Sequence, residues 1–166
     1  MTPPELVYPV PADRVGPAGI SVTVEADAAA CAAIAHRLRV PSIERLRCVW
    51  SLRTAPRGVI EADGSLVARL HQECVVSLEP FPVDLVEEFA VRFVPAGDEN
   101  EDSNDPDEPD EVPMHDGVLE LGEATVEQLA LALDPYPRKH GAELADEHRG
   151  TPANPFEALA KLRNPD

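Results

Sequence analysis

The sequence is short of the features that usually announce an activity. Its three cysteines, Cys31, Cys48 and Cys74, are odd in number and widely separated with no Cys-x-x-Cys pair, which favours reduced, buried thiols over a disulfide framework. Aromatic residues make up only 4% of the chain, with Trp50 the sole tryptophan. No apolar run approaches the roughly 20 residues that cross a bilayer, and MTPPELVYPV has neither the basic nor the apolar part of a signal peptide; the expected location is the cytoplasm. A Gly-rich phosphate loop, a GxSxG elbow and an HExxH pair are all missing, so no enzyme is expected. His140 and His148 stand eight apart without a cysteine pair, unlike the short ligand spacings of structural zinc sites. No metal and no cofactor are expected.

Basic residues are also scarce, 14 against 31 acids, for a net charge of −17 over 166 residues. Such a charge repels nucleic acid at long range, yet it is unevenly spread. Residues 97–111, GDENEDSNDPDEPDE, carry nine acids and no base, and low hydrophobicity with high charge predicts a disordered loop over 97–113. From His36 to Arg69 the sign reverses, with seven arginines against Glu44, Glu61 and Asp63.

Periodicity supplies the elements. Ile20, Val22 and Val24 alternate with polar residues as in a half-buried strand. Asp27 then caps a helix whose Cys31, Ile34, Ala35 and Leu38 form one stripe, stopped by Pro41. In SIERLRCVWSLRT, Leu46, Cys48, Trp50 and Leu52 take one face and Arg45, Arg47, Val49, Ser51 and Arg53 the other. Ala62-Asp63-Gly64-Ser65 predicts the turn of a hairpin over Gly58 to Glu73, whose second strand opposes Leu66, Ala68 and Leu70 to Val67, Arg69 and His71. After a break at Pro80 and Pro82, Val83, Leu85, Phe89, Val91 and Phe93 share one face of a long strand. GVLEL reads as a short strand. EATVEQLALALD reads as a helix burying Val126, Leu129, Ala130 and Leu133, ended by Pro135 and Pro137.

A strand, a helix, several consecutive strands and a helix lack the repeated alternation of a parallel sheet. The expected fold is α+β: one domain over 1–137, with a mainly antiparallel curved sheet and two or three helices. Residues 138–166 are expected to be a mobile tail, in which PFEALAKL forms a short terminal helix with Pro155 at its start.

Two segments invite a functional reading. Arg45, Arg47 and Arg53 lie on one side of one strand, and Arg69 with His71 continues that side on a neighbour. Guanidinium groups bind phosphates bidentately and stack on bases, so this face is a candidate RNA contact, or a solvated face whose arginines pair with nearby acids. The acidic loop is either a solvated linker or a polyanion mimic that holds a basic protein.

The chain also resembles a known family. Cys74, Ser77, Leu78, Glu79 and Pro80 form a Cys-x-x-(Cys or Ser/Thr)-Leu-Glu-Pro element. Gln128 to Pro137, with Leu129, Leu131, Pro135 and Pro137, form a Gln-Leu-Ala-Leu-Ala-Leu-x-Pro-Tyr-Pro element, and Asn154-Pro155-Phe156 with Leu159 and Leu162 closes the pattern. Together they resemble the YceD family, once a domain of unknown function, in an alphaproteobacterial-type variant. The resemblance implies a non-catalytic bacterial and plastid factor needed for accumulation of 23S rRNA and assembly of the large ribosomal subunit. Its expected partner is precursor large-subunit rRNA or a ribosomal particle; the alternative is an acidic chaperone for a basic ribosomal protein. Many relatives have a second cysteine where Ser77 stands, and some have more near the C-terminus, resembling a metal site. With Ser77 in place and no cysteine after Cys74, zinc does not carry over. Read as fold elements, Leu78-Glu79-Pro80 makes a bend between strands and the leucines from 129 to 133 a helix core.

Overall fold

A computed structural model describes residues 5–98 and 109–143. Its elements in chain order are β1 (Pro9–Pro11), β2 (Ile20–Glu25), α1 (Ala28–Leu38), β3 (Ser42–Thr54), β4 (Ile60–Glu73), β5 (Pro80–Pro95), β6 (Asp110–Met114), β7 (Val118–Glu120) and α2 (Leu121–Ala132). Strands β2-β3-β4-β5-β6 form one sheet in sequence order, antiparallel except for the parallel pair β5–β6, and β1 pairs with β7 in a second, two-stranded sheet. This is an α+β domain, as the alternation predicts.

The alternating residues build the core on one sheet face. Val24, Leu46, Cys48, Trp50, Leu52, Leu66, Ala68, Leu70, Val91 and Phe93 are all buried, and Ile34 of α1 with Leu121, Val126 and Leu129 of α2 joins the same cluster. Helix α1 begins as read: the Asp27 carboxylate accepts the Ala30 amide at 2.8 Å, offsetting an unpaired helix-end donor. At the other end Arg39 adopts a left-handed φ of 56° before Pro41. Trp50 is fully buried and its indole N–H donates to the Thr125 hydroxyl at 3.0 Å, which in turn donates to the Leu121 carbonyl at 2.7 Å.

Several expectations are corrected. There is no hairpin turn at Ala62–Ser65, because β4 runs unbroken for 14 residues and pairs along its length with β3 and β5. Gly64 serves close packing instead: it sits between Trp50 and Phe89 in register, and a β-carbon on it would stand 2.2 Å from Phe89 Cζ. The chain reverses between β3 and β4 at Pro56–Gly58, where Arg57 and Gly58 have φ of 64° and 75°. Pro80 and Pro82 do not precede β5 but begin it. β6 covers only Val91–Pro95 of that strand, so both prolines lie along an open edge, where a missing donor is tolerated.

In α2, Ala130 is exposed and Leu131 is 70% exposed, so neither joins the core. The buried residues are Leu121, Gly122, Ala124, Thr125, Val126 and Leu129, because α2 packs against β1 as well as the sheet. Gly122 permits this approach: its β-carbon would lie 2.1 Å from the Leu6 carbonyl oxygen. Of the expected loop over 97–113, residues 110–113 belong to β6, since their backbone completes the ladder of β5; residues 99–108 lie outside the described residues. Residues 138 and 139 continue the fold rather than starting a mobile tail, for the Lys139 amide and ammonium bind Cys74 Sγ and Glu79. The expected terminal helix lies outside the described residues. No helix among the described residues is long and apolar enough to cross a membrane.

Candidate nucleic-acid interface

Register places Arg45, Arg47, Arg53 and Arg69 on the sheet face opposite the helices. Arg45 stands directly across from Arg69, Arg47 across from Val67, and Arg53 across from Glu61. A bulge between Ile43 and Arg45 sets the first of these pairs. Bulges re-aim side chains; here Glu44 and Arg45 are both exposed while Ile43 and Leu46 are buried.

The four arginines are not equivalent. Arg53, at the end of β3, contacts Glu61 at 2.5 Å, and Arg69 contacts Asp84 at 3.1 Å and Glu44 at 3.9 Å. His71 Nδ1 lies 3.5 Å from Glu44 and 3.1 Å from the Ser42 hydroxyl. Arg45 and Arg47 form no ion pair among the described residues. Beside them Val67 is 40% and Val86 68% exposed, and these two valines are neighbours in register. The expected four-residue stripe is therefore a cluster of Arg45, Arg47 and the acid-paired Arg69 at one end of the face, with Arg53, also paired to an acid, at the other.

The family-motif residues lie just beyond the Arg45–Arg69 end of the long strands, away from Arg53. Cys74 through Glu79 turn β4 into β5: the Cys74 amide donates to the Glu79 carbonyl at 2.9 Å and the Leu78 amide to the Cys74 carbonyl at 2.9 Å. Leu78 has φ 57° and is exposed. Val75 reaches across to the Pro137 carbonyl at 2.9 Å, Gln72 Nε2 donates to the Asp134 carbonyl at 3.1 Å, and the Lys139 ammonium meets Glu79 at 3.0 Å. The Leu78-Glu79-Pro80 and Pro135-Tyr136-Pro137 segments thus hold one another.

Cys74 is the hub of this junction. Its side chain is buried, and Sγ accepts the Ser77 amide at 3.5 Å and the Lys139 amide at 3.4 Å. The Ser77 side chain, then the Ser77 amide, and further the Lys139 and Val76 amides hold the thiol down at about 6, because donors around sulfur favour the thiolate. Burial does the reverse at Cys31 and Cys48, pushing the latter up to about 11. Among the described residues no three His, Cys, Asp or Glu side chains are grouped to hold a metal.

Sequence reading missed a groove beside α2, lined by Val112, Pro113 and Ala124 together with Glu120, Glu123 and Glu127. The signal was present in part: positions 120, 123 and 127 recur at helical spacing. Their companions Glu5 and Arg37 come from distant parts of the chain.

No solved structure and no curated protein matches the chain. A family model does, described as large ribosomal RNA subunit accumulation protein YceD, over residues 62–163. The match opens inside β4, so Arg69 and the Cys74 junction lie within it, and Arg45, Arg47 and Arg53 precede it. Spanning more than half of the sequence and both motif elements, it shows that the chain belongs to the YceD family of large ribosomal RNA subunit accumulation proteins.

Proposed function

We propose that this protein acts in the cytoplasm as a non-catalytic factor in 23S rRNA accumulation and large-subunit assembly, docking on precursor rRNA or on a precursor particle through Arg45, Arg47 and Arg69. The observation that carries this reading is the pair Arg45 and Arg47, neither of which forms an ion pair among the described residues although Glu25 stands across from Arg47, set beside Arg69 and the exposed Val67 and Val86. Guanidinium groups at such a place meet phosphates, while the valines offer a small apolar contact. The net charge of −17 makes the contact weak and salt-sensitive. A factor bound in this way leaves when the maturing particle closes its site.

The test is a pull-down of the tagged protein from cell extract at low and moderate salt, with bound RNA sequenced. Large-subunit precursor RNA held at low salt, released at moderate salt and lost from the R45E/R47E variant supports the reading. Equal recovery by that variant removes the arginine cluster as the docking surface.

A second reading, an acidic carrier for a basic ribosomal protein, is favoured by the carboxylates along α2 and by the acids of residues 98–111. Removing residues 99–108 separates the two: capture of one basic ribosomal protein falls if the carrier works through that segment, while RNA recovery stays.

A further inference from the structure

The groove beside α2 has a volume of about 900 Å³ and lies between α2, β6 and the end of α1. Val112, Pro113 and Ala124 supply apolar surface, and Glu120, Glu123 and Glu127 stand along it. Glu123 and Glu127 lie on α2 four residues apart, about 6 Å along its axis, close to the interval of roughly 6.5 Å between alternate side chains of an extended peptide, and Glu120 ends β7 just before the helix.

The groove already holds one guanidinium of its own chain. Arg37 Nη1 and Nη2 meet the two carboxylate oxygens of Glu123 at 2.9 and 2.6 Å, and Nη1 also meets Glu5 at 3.0 Å. This clamp occupies Glu5 and Glu123, and the Arg37 proton is held more tightly for it. Neither Glu120 nor Glu127 forms an ion pair among the described residues. The Glu127 carboxyl is pushed up by burial and by the negative charge of Glu123, against a smaller opposing pull from Arg37. A second cation arriving there relieves that repulsion.

We propose that this groove is a docking site for an extended, arginine- or lysine-bearing peptide segment of a protein partner, its aliphatic stems against Val112, Pro113 and Ala124 and its charged heads on Glu120 and Glu127. Charge complementarity selects a cationic occupant, and the apolar lining selects a peptide with alkyl stems over a bare ion. Nucleic acid is repelled by the same carboxylates. This proposal deepens the carrier reading and is independent of the arginine face.

The experiment titrates the full chain with a fluorescent peptide of alternating arginine and valine. Three variants are compared with the natural protein: E120Q/E127Q in the groove, E25Q/E88Q on the outer sheet face with the same change of charge, and a form whose acids between residues 99 and 108 are replaced by their amides. The groove pair is expected to weaken binding about tenfold, with the other two nearly unchanged. Equal weakening by the outer-face pair means attraction to net charge alone and overturns the site. Loss confined to the amidated segment overturns the groove and leaves the carrier reading standing. Failure of the natural protein to bind overturns the groove and the carrier reading. Full competition by spermine at equal charge overturns the peptide as occupant.

Discussion

The Phe89 ring lies over Gly64 so closely that a β-carbon on the glycine would fall 2.2 Å from Cζ and 2.5 Å from Cε2. The same ring meets Trp50 edge to face, with centroids 5.1 Å apart and planes at 78°. Gly64 is therefore the gap that lets an aromatic pair close across three strands.

Gly64→Ala is expected to destabilise the fold by about 1 to 3 kcal/mol, the usual cost of overpacking. Adding Phe89→Leu to it should recover part of that loss, because the clash is specific to the ring. Urea unfolding of the two variants measures this; an equal loss in both assigns the cost to the backbone instead.

Thr125→Val leaves the buried Trp50 indole donor without its 3.0 Å partner. An unsatisfied buried donor costs about 1 to 3 kcal/mol, whereas Thr125→Ser keeps the hydroxyl and should cost less. Trp50 emission in the natural protein should be blue-shifted by burial. A solvent-like maximum contradicts the position of Trp50 in the core.

Cys74 makes stability depend on pH. Its thiol is held at about 6 against an ordinary value of 9.0, so folding favours the thiolate. With the folded value lowered, the contribution is fully present above the ordinary value and is lost as pH falls through about 6. Denaturation midpoints taken between about pH 8 and about pH 6 should fall more steeply in the natural protein than in Cys74→Ser. Parallel curves would show that the amides around sulfur do not stabilise a thiolate.

On the outer face, reversing Arg45 and Arg47 to Glu is expected to lower the salt slope of precursor RNA binding by roughly two, one for each lost phosphate contact. Reversing Arg53, already bound to Glu61, should change it much less. Equal effects of the two changes would point to net charge rather than to a docked cluster.

Much of the framework was legible because its signals are local. The alternation of Leu46, Cys48, Trp50 and Leu52 survives as the buried face of β3, and Asp27 caps α1 as its position suggests. The arginines of β3 follow from the same period, since alternate residues of a strand share a face. Which of them carry an unneutralised charge did not follow, because Asp84 and Glu61 reach Arg69 and Arg53 from neighbouring strands. The motif around Cys74 was visible as residues, while its bond to Lys139 needed the chain to return 65 positions later.

By itself the sequence determined the α+β class, the period of each long element and the family, since these depend on residues close in the chain or on a linear pattern. Only the tertiary structure decided that Asp63-Gly64 continues a strand, that Cys74 sits among backbone amides, and that Glu5, Arg37 and Glu123 meet beside α2. The physical reason is the same in each case. A turn signal, a thiol or a carboxylate takes its role from the group packed against it, and here that group lies from 25 residues away, as Phe89 from Gly64, to 86, as Glu123 from Arg37.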